Sequence, residues 1–362
     1  MKRASRGRVA VAMSGGVDSS VAAALLVRQG YEVIGLTMCF NLQEPRNARR
    51  PSCCGLQGID DAARVAGVLG IRHYTLSMRA SLEEYVIRDF LRQYLAGMTP
   101  NPCVRCNQFV KFKVLLSRAR ALGASFLATG HYARIVRVPA GYLLKKATDR
   151  RKDQSYFLYR LDQEQLSSIM FPLAGLTKLN VRALAEEYKL PVASKAGSQE
   201  ICFLPDQKNY RLFLRERAGG GIKPGAIVDH EGRTLGVHQG IAYYTIGQRQ
   251  GLGIAAGRPL YITAMDLRTN TITVGSRSQT LKKRFLVRDA HFILSRPKKV
   301  IVARVRIRYN HKETAARIVP AAGNTVEVIF RQRQFAVTPG QSAVFYRGDT
   351  VIGGGTIEKV LD

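Results

Sequence analysis

The sequence predicts an α/β protein in which a doubly wound parallel sheet is followed by a small central β domain and a C-terminal β-barrel. Two observations indicate the sheet: residues 9–13 form the apolar, β-branched run of a buried strand, and strand-like runs then alternate with helix-like runs as far as residue 129. Beyond Pro205 the pattern changes to short alternating runs separated by Gly, Asp and Asn, which is typical of β domains. We therefore expect three domains, over residues 1–205, 206–275 and 276–362.

The composition describes a folded and strongly basic chain. Of its 362 residues, 46% are hydrophobic and 23% are charged, which is typical of globular proteins. No apolar run approaches the roughly 18 residues that a membrane span needs, and the first one is too short for a signal peptide. We therefore expect a cytoplasmic protein with no membrane partner. The 56 Lys and Arg against 26 Asp and Glu give a net charge of +30, which favours a polyanionic partner. The alternative is a basic composition with no partner attached.

The residues after the first strand favour an anion site. The sequence Ser-Gly-Gly-Val-Asp-Ser-Ser over residues 14–20 separates the strand from an Ala- and Leu-rich run that predicts a helix. Free N–H groups at a helix N-terminus attract phosphate, and Gly15 and Gly16 let the backbone approach it. The loop lacks the Gly-Lys-Ser/Thr ending of a Walker A motif. It resembles the pyrophosphatase loop (PP-loop) of adenylating enzymes with the adenine nucleotide alpha hydrolase-like fold, which implies an ATP that loses pyrophosphate.

The next elements continue the alternation. The runs predict, in order, a strand over 31–38, a helix capped by Asp60 and Asp61 that runs to residue 69, a strand over 71–77, a helix over 82–95 and a strand over 125–129. Ligands of such sheets bind at the carboxyl ends of the strands. Met38, Gly130 and His131 lie at those ends, so we expect them on the same face as the loop.

Two cysteines follow a proline-rich stretch, in the sequence Pro-Cys-Val-Arg-Cys that ends at Cys106. We expect the prolines to hold an extended approach and a helix to begin at Cys106 and run to about residue 122. A thiol at a helix N-terminus beside Arg105 should have a lowered pKa and be partly thiolate. A catalytic thiol is favoured over a thioredoxin-like pair. Half of a zinc site is disfavoured because Cys53 and Cys54 have the wrong spacing for a second ligand pair.

Two basic segments favour nucleic acid. Residues 149–157 combine basic charge, amides and aromatic rings, a mixture that suits phosphates and stacked bases; the alternative is a solvated charge run. In residues 303–309 a period of two places three arginines on one face of a strand and three apolar side chains on the other. The arginines are Arg304, Arg306 and Arg308, and the apolar face is Val305, Ile307 and Tyr309. Three exposed arginines in a row repel one another unless an anion lies across them, so we expect an RNA surface here.

Eight sequence blocks, in order and nearly end to end, resemble the tRNA-specific 2-thiouridylases. The blocks are residues 14–20, 99–107, 129–134, 152–157, 201–203, 238–240, 247–253 and 338–346. The resemblance implies a PP-loop domain, a central β domain and a tRNA-binding C-terminal β-barrel. It also implies an ATP-dependent sulfurtransferase that thiolates position 2 of the wobble uridine in the tRNAs for Lys, Glu and Gln, after ATP with Mg²⁺ has adenylated the uridine O2.

The resemblance also implies roles for individual residues. Cys202, which alone would be interpreted as a buried apolar residue at a strand end, matches the cysteine that carries sulfur as a persulfide. Cys106 matches the nucleophile that pairs with it through a disulfide. The partner would be a sulfur donor protein, a cysteine desulfurase or a sulfur relay protein, and we expect a monomer. The implied nucleotide contacts are Ala12, Met13, Ser14, Gly15, Gly16, Val17, Asp18, Ser19, Met38 and Gly130. The implied tRNA contacts are Asn101, Pro102, Cys103, His131, Lys152, Asp153, Gln154, Arg308, Tyr309 and Gln341.

One departure from the family leaves alternatives open. Many members carry Asp where this chain has Cys103, and that Asp has an acid/base role; a thiol could act as a base only with a lowered pKa. Cys103, Cys106 and Cys202 would also supply three ligands for a [4Fe–4S] cluster, which allows a cluster-bound sulfide route. Other adenylating enzymes, such as an amidotransferase or a lysidine-type synthetase, share the loop without needing a cysteine pair. A non-catalytic tRNA-binding module explains the charge but not residues 14–20.

Overall fold

The computed structural model describes residues 6–40, 56–196, 201–204 and 210–362, which divide into two compact units. The first unit contains residues up to 86, residues 103–209 and residues 349–351, and the second contains residues 87–102, 210–348 and 352–362. The three domains expected from the sequence stay a prediction. In the described part of the chain, no helix combines the length and the apolar character that crossing a membrane would require.

The first unit is built on a parallel sheet of five strands in the order β3-β2-β1-β4-β7. The strands of the first unit are β1 (Arg8–Ala12), β2 (Glu32–Cys39), β3 (Arg72–Ser77), β4 (Phe126–Thr129), β5 (Ala133–Val138), β6 (Gly141–Lys146) and β7 (Ile169–Met170), of which β5 and β6 lie outside this sheet. The central strand β1 is buried on both faces, with Val9, Ala10 and Val11 wholly inaccessible to solvent. Strands β5 and β6 form a separate hairpin, which Thr350 and Val351 extend. The doubly wound parallel sheet is confirmed.

The helices predicted from the sequence are present, but three of them begin earlier than predicted, at residues 56, 79 and 102. The helices of both units are α1 (Val17–Arg28), α2 (Leu56–Leu69), α3 (Arg79–Leu82), α4 (Arg88–Leu95), α5 (Pro102–Arg105), α6 (Leu116–Ala121), α7 (Gln163–Ser167), α8 (Lys178–Glu187) and α9 (Tyr210–Arg217), with π-helical segments at Glu83–Ile87 and Cys106–Leu115. Asp60 and Asp61 lie within α2 and do not cap it, so that prediction is wrong. The helix expected to begin at Cys106 begins at Pro102, because proline is favoured at the first helical position, where its missing N–H costs nothing.

Small side chains let α1 pack closely between the sheet and α8. Ala22 and Ala23 are fully buried and belong to one apolar core with Val9 of β1. Val181 and Ala185 of α8 belong to the same core. A capping box between Thr177 and Asn180 fixes where α8 begins. This packing holds the N-terminus of α1 at a defined position over the carboxyl end of β1.

The second unit contains a small sheet and a closed barrel. Strands β8 (Gly225–Val228), β9 (Thr234–His238), β10 (Tyr261–Asp266) and β11 (Thr271–Gly275) form the sheet, in the order β10-β11-β8-β9. Strands β12 (Leu281–Phe292), β13 (Ile301–Arg306), β14 (Thr314–Pro320), β15 (Val326–Phe335), β16 (Ser342–Arg347) and β17 (Thr350–Val360) form the barrel. It closes because β12 pairs with both β15 and β17, around a core that includes Phe285, Val305 and Phe330. The central β domain and the barrel are both confirmed.

One stretch of the second unit differs from its predicted pattern. Residues 243–253 lie in the region beyond Pro205 where short alternating runs indicate β structure, but the structure forms no strand there. Gly247, Gly251 and Gly253 all have positive φ angles, of +83°, +74° and +70°. A chain that turns through the left-handed region three times within seven residues cannot continue an extended strand.

Candidate active site

The order in which the chain adds strands to the parallel sheet reverses direction at β1. The chain leaves β1 toward β2 and β3 and returns on the other side of β1 with β4. Ligands of open α/β sheets bind in the crevice at such a switch point. Residues 13–16 follow β1 there, and Gly130 and His131 follow β4. Helix α1 then begins at Val17 with no side-chain cap, which leaves amide donors at its N-terminus for an anion.

Hydrogen bonds within the loop turn two of its serine hydroxyls inward. Ser19 and Ser20 are buried, and both donate from Oγ to the carbonyl oxygen of Gly16, at 3.1 and 2.9 Å. The Ser14 amide donates to Ser19 Oγ at 3.2 Å, while the Ser14 side chain is exposed. Ser19 and Ser20 therefore shape the loop, whereas the Ser14 hydroxyl, 3.3 Å from Ser19 Oγ, is the exposed one of the three.

The glycines of the site meet different requirements. Gly15 has a φ of +69°, and a Cβ built on it would collide with the carbonyl oxygen of Gly58 in α2. A Cβ on Gly130 would lie 2.7 Å from the amide nitrogen of Ser19 in α1. Gly16 has a φ of −99°, and the nearest atom to a Cβ there is 3.5 Å away. Packing therefore requires Gly15 and Gly130, whereas Gly16 keeps open the approach to the helix amides.

Asp18, at the start of α1, is held by two long-range partners. Its Oδ1 accepts hydrogen bonds from the Tyr132 hydroxyl at 2.7 Å and from Lys178 Nζ at 2.6 Å. Burial and the bond to Asp18 raise the pKa of Tyr132, so it stays a protonated donor. Oδ2 of Asp18 accepts no hydrogen bond from the described residues, and a carboxylate oxygen is the kind of ligand that Mg²⁺ prefers. Asp18 therefore fits the Mg²⁺ expected with ATP.

A buried ion pair lies against the other side of the loop. Asp61 of α2 is only 3% exposed, and its Oδ2 lies 2.5 Å from Lys195 Nζ. Lys195 also donates to the Gly15 carbonyl oxygen at 3.2 Å, and Arg64 binds Oδ1 of Asp61. Burial alone would raise the pKa of Asp61, but the hydrogen bonds and charges of Lys195 and Arg64 outweigh it and hold the pKa below its ordinary value. Asp61 is therefore ionised at neutral pH.

The other predicted nucleotide contacts lie at the ends of β1 and β2. Ala12 ends β1, and the Met13 that follows it is buried. Met38, next to last in β2, is partly buried. Thr37 beside it donates from Oγ1 to the Met13 carbonyl oxygen at 2.8 Å, which joins the two strand ends. Val17 is buried at the start of α1 and can offer a ligand only its backbone.

His131 packs among aromatic rings rather than facing solvent as a charged group. Its Nδ1 lies 2.7 Å from Thr129 Oγ1, and its ring centroid lies 5.9 Å from those of Phe112 and Phe171. Burial, and then the charge of Lys111, lower the pKa of His131 well below its ordinary value. The ring is therefore neutral at physiological pH, so any contact with RNA would use its shape and hydrogen bonding and not a positive charge.

Cys106 lies in a helix that is anchored on both sides of it. The residue before it, Arg105, donates from Nε to the Tyr85 carbonyl oxygen at 3.2 Å. The residue after it, Asn107, donates from Nδ2 to the Phe157 carbonyl oxygen at 3.2 Å. Cys106 itself is 4% exposed. Because the helix begins at Pro102, Cys106 lies more than a turn inside it, so the predicted position at a helix N-terminus is wrong.

Cys202 lies in a turn. The Leu204 amide donates to the Ile201 carbonyl oxygen at 2.9 Å, and residues 201–204 form no strand, so the predicted strand end is wrong. Cys202 is partly buried, whereas Phe203 beside it is buried. Of these two neighbouring residues, Cys202 is the more accessible to solvent.

The described cysteines are thiols. Cys39, Cys103, Cys106 and Cys202 form no disulfide in this structure, so the pairing of Cys106 with Cys202 stays a prediction. No group of three His, Cys, Asp or Glu side chains within the described ranges is arranged to hold a metal ion, and these ranges include Cys103, Cys106 and Cys202. The [4Fe–4S] alternative therefore has no support from this geometry. Cys53 and Cys54 lie outside the described residues.

Comparison with known proteins identifies the family. Three family models match consecutive parts of the chain: the tRNA methyl transferase HUP domain (residues 7–206), the tRNA methyl transferase PRC-barrel domain (212–276) and the aminomethyltransferase β-barrel domain (282–357). The tRNA-specific 2-thiouridylase MnmA of Geotalea uraniireducens is 48% identical, covering 100% of this chain and 98% of that protein. The protein of the same name from Pelotomaculum thermopropionicum is also 48% identical, covering 98% of each chain. The chain belongs to the tRNA-specific 2-thiouridylase family.

Two solved structures have a more distant likeness. An NMN synthetase from Francisella tularensis is 20% identical with a TM-score of 0.34, covering 54% of this chain and 67% of that one. A 4-thiouridine synthetase–RNA complex with bound ATP is 17% identical with a TM-score of 0.34, covering 59% of this chain and 51% of that one.

Among the family's expected tRNA contacts in the first unit, only one is a fully exposed side chain. Lys152 is exposed. Asp153 is 4% exposed, and its carboxylate accepts hydrogen bonds from the Ala147 amide at 3.1 Å and the Ser155 hydroxyl at 2.8 Å. Gln154 Oε1 accepts from the Tyr132 amide at 2.9 Å. Asp153 and Gln154 therefore shape the segment that presents Lys152.

Expected tRNA contacts in the second unit include a braced proline-rich segment. Gln341 Nε2 donates to the carbonyl oxygens of Thr99 and Pro100, at 3.0 and 3.2 Å. These two residues directly precede Asn101, which is partly buried, and Pro102, which is buried. Gln341 thus uses its amide donor to fix the backbone before the family's base-contacting segment.

The predicted alternation holds only within β13, which ends at Arg306; Arg308 and Tyr309 lie beyond the strand, so its predicted extent to residue 309 is wrong. The expectation of three exposed arginines is wrong as well. Val305 and Ile307 are buried, whereas Arg304 is exposed and Arg306 and Arg308 are partly buried. Two of the guanidinium groups lie over aromatic rings, Arg306 at 5.2 Å from the ring of Tyr309 and Arg308 at 5.5 Å from that of Phe335. Arg277 lies 5.2 Å from the same Phe335 ring. Sequence reasoning missed Arg277, because only the folded second unit brings it to the same ring as Arg308.

Proposed function

We propose that this protein is an ATP-dependent tRNA-uridine 2-sulfurtransferase of the cytoplasm that acts as a monomer on the wobble uridine of the tRNAs for Lys, Glu and Gln. The observation that carries the proposal is the loop after β1, which presents uncapped helix amides and an open Gly16 at the switch point of the sheet. The proposal is further supported by full-length similarity to proteins named tRNA-specific 2-thiouridylase.

The first step is adenylation of the uridine. The ATP phosphates bind the amides at the start of α1, and the uridine O2 attacks the α-phosphorus. An O2–P bond forms, the bond between the α-phosphorus and the bridging oxygen breaks, and pyrophosphate leaves. The N3 proton of the uridine passes to a base, for which Cys103 is the candidate because it occupies the position of the family's Asp. Mg²⁺ held by Asp18 would neutralise charge on the leaving pyrophosphate.

The second step exchanges oxygen for sulfur. The terminal sulfur of a Cys202 persulfide attacks C2 of the uridine, and O2 leaves as part of AMP. The Cys106 thiolate then attacks Cys202 Sγ, so that the sulfur–sulfur bond to the uridine breaks and C2 keeps a thiocarbonyl sulfur. The two thiols supply two electrons and end as a disulfide. Each turnover therefore needs an external thiol reductant, and a sulfur donor protein must renew the persulfide on Cys202.

The residues expected to contact RNA would bind the tRNA that carries the wobble uridine. Lys152 and Arg308 supply positive charge for phosphates, and the ring of Tyr309 supplies a stacking surface. His131, being neutral, would contribute a hydrogen bond from its aromatic surroundings. The net charge of +30 would in addition attract a polyanion to the protein.

The test combines two products of one reaction. The protein is incubated with tRNA, ATP, Mg²⁺, a persulfide donor and a thiol reductant, and the tRNA is digested for mass spectrometry of 2-thiouridine. We expect pyrophosphate release that depends on tRNA and one sulfur atom for each pyrophosphate. A matched tRNA with cytidine at the wobble position is the control and should give neither product.

Other outcomes identify other functions. Pyrophosphate without thionucleoside would indicate a different adenylating enzyme, such as an amidotransferase. Binding of tRNA without ATP consumption would indicate a binding module. Iron and sulfide are quantified in anaerobically purified protein, and full activity of colourless, iron-free protein would eliminate the cluster route.

A further inference from the structure

Side chains from distant parts of the second unit converge on the ring of Phe335, the last residue of β15. The guanidinium carbon of Arg277 lies 5.2 Å from the ring centroid, and that of Arg308 lies 5.5 Å from it. The ring of Tyr261 meets the same ring edge-on, with 5.7 Å between the centroids. Arg277 is exposed, and Arg308 and Phe335 are partly buried, so two positive charges share one ring at a place that solvent reaches.

The segment that carries Arg308 is attached to β15 one residue before Phe335. The His311 amide donates to the Arg308 carbonyl oxygen at 3.0 Å, which closes a turn after β13. The His311 ring then pairs through Nε2 with Gln334 Oε1 at 3.1 Å. Burial, and then the charges of Arg308 and Arg306, lower the pKa of His311, so the ring is neutral at physiological pH. The turn therefore holds Arg308 at the end of β15.

The segment that carries Arg277 is attached to β15 one residue after Phe335. Thr280 is 1% exposed and donates from Oγ1 to the Arg277 carbonyl oxygen at 2.6 Å. The carbonyl oxygen of Thr280 accepts from the Ala336 amide at 3.1 Å. Ala336 has a φ of +53°, a left-handed conformation that residues with a Cβ rarely adopt. A strained residue directly after Phe335 therefore takes part in holding the Arg277 segment in place.

The ligand that suits this arrangement best is a phosphate. A guanidinium group binds phosphate through two parallel N–H···O bonds, and a ring beneath it restricts its orientation. The net charge of +30 attracts polyanions, and Arg308 is already an expected tRNA contact. An acidic protein partner would carry carboxylates to the same groups, and the experiment below separates it from RNA.

We propose that Arg277 and Arg308, positioned by Phe335, form a two-arginine clamp for the phosphate backbone of tRNA. The inference deepens the function proposed above and rests on it. Neither Arg277 nor Phe335 is among the tRNA contacts that the family resemblance implies. Because phosphate contacts carry no sequence information, the clamp contributes affinity for tRNA and does not select the wobble base.

The test measures the salt dependence of tRNA binding in the absence of ATP, by fluorescence anisotropy of a labelled transcript of the tRNA for Glu. Arg277→Gln should weaken binding about tenfold at low salt and reduce the slope of log K against log salt by about 0.7 to 0.9, the value for one lost phosphate contact. The loss should be equal for a transcript with cytidine at the wobble position.

Two further variants separate charge from geometry. Arg277→Lys keeps the charge and should keep the slope while losing part of the affinity, because an ammonium group cannot form the two parallel bonds. Phe335→Leu keeps both arginines and should also keep the slope, with an affinity about threefold lower because the guanidinium groups lose their ring.

The matched control is Arg268→Gln, which removes the same charge from an exposed position at the other end of the β10–β11 hairpin and should bind as the wild type does. Equal effects of Arg277→Gln and Arg268→Gln would show a response to net charge alone and overturn the clamp. An unchanged slope in Arg277→Gln would overturn it too, and a weaker response of that variant to the sulfur donor protein would then indicate an acidic partner.

The clamp and the proposed function fail in different ways. If Phe335→Leu does not fold, the two variants of the exposed Arg277 decide by their slopes. Wild-type protein that binds tRNA but forms no 2-thiouridine would contradict the proposed function, and the slopes would still decide the clamp. Full thiolation by wild-type protein together with an unchanged slope in Arg277→Gln would overturn the clamp alone.

Discussion

The two cysteines assigned to sulfur chemistry lie in contrasting surroundings. Cys106 is 4% exposed in a helix whose neighbouring residues, Arg105 and Asn107, are each hydrogen-bonded to a carbonyl oxygen of another segment. Cys202 is partly buried in a turn in which the Leu204 amide donates to the Ile201 carbonyl oxygen. The helix fixes one thiol, whereas the turn leaves the other accessible.

This difference fits the separate demands of the proposed reaction. A sulfur carrier must meet a donor protein and then the uridine, so it has to be reachable from outside. A resolving thiol meets only the carrier, and its attack on Cys202 Sγ gains from a fixed position. We therefore propose that Cys202 is the carrier and Cys106 the resolving thiol, and the predictions below test this assignment.

The largest expected effect separates the two thiols by what accumulates. Cys202→Ser should lower thiolation by about 10³-fold or more, because the persulfide has no carrier, with tRNA-dependent pyrophosphate release retained. Cys106→Ser should also stop turnover but trap tRNA on Cys202 through a sulfur–sulfur bond that reductant cleaves. A gel-shift assay with and without reductant measures the adduct.

The control for these variants is Cys53→Ser, at a cysteine with no assigned role, which should keep full thiolation. An adduct in Cys202→Ser rather than in Cys106→Ser would reverse the assignment of the two thiols. Full thiolation in both variants would remove persulfide chemistry from the proposal.

A smaller effect is expected on chemical reactivity. Iodoacetamide should modify Cys202 about tenfold faster than Cys106, because a thiol must be exposed to be alkylated. Mass spectrometry of peptides during a time course gives both rates in one sample. In urea-unfolded protein the two rates should converge, which controls for intrinsic reactivity. Equal rates in the folded protein would show that the Cys106 helix opens readily and would break the comparison.

The sequence signals that succeeded are local ones. Strand β1, the loop over residues 14–20 with its two glycines, and helix α1 lie within one stretch of chain, so adjacent residues predict the whole motif. The alternation that buries Val305 and Ile307 in the barrel is likewise readable from neighbouring positions. Each of these features depends on backbone geometry over a few residues.

The parts that failed depend on context or on distance. Pro102 was interpreted as an extended residue, but proline suits the first helical position equally well, and only the folded chain shows which applies. The contacts of Lys178 with Asp18 and of Lys195 with Gly15 join positions 160 and 180 residues apart. No periodicity in one sequence reveals such pairs, although both lysines shape the candidate site.

The smallest expected effect concerns the pH dependence of stability beneath the Cys106 helix. Burial lowers the pKa of His131, whose ring packs on Phe112 of that helix, whereas in the unfolded chain the pKa is about 6.5. Below pH 6.5 the unfolded state therefore binds a proton that the folded state does not. The free energy of unfolding is consequently highest above that pH and falls as the pH is lowered. The loss between pH 7 and pH 5 should reach up to about 2 kcal/mol.

His131→Asn should reduce this slope in urea unfolding curves recorded from pH 7 to pH 5, because an amide near Thr129 takes up no proton. His230→Asn, at an exposed position of the second unit, is the control and should keep the wild-type slope. Protonation of His131 should weaken its packing on Phe112 and so loosen the Cys106 helix. Lowering the pH should therefore reduce the ratio of the alkylation rates of Cys202 and Cys106, and it should do so more in the wild type than in His131→Asn. An identical slope in wild type and His131→Asn would show that His131 is protonated in place, and the Cys106 helix would then be less tightly packed than its neighbours indicate.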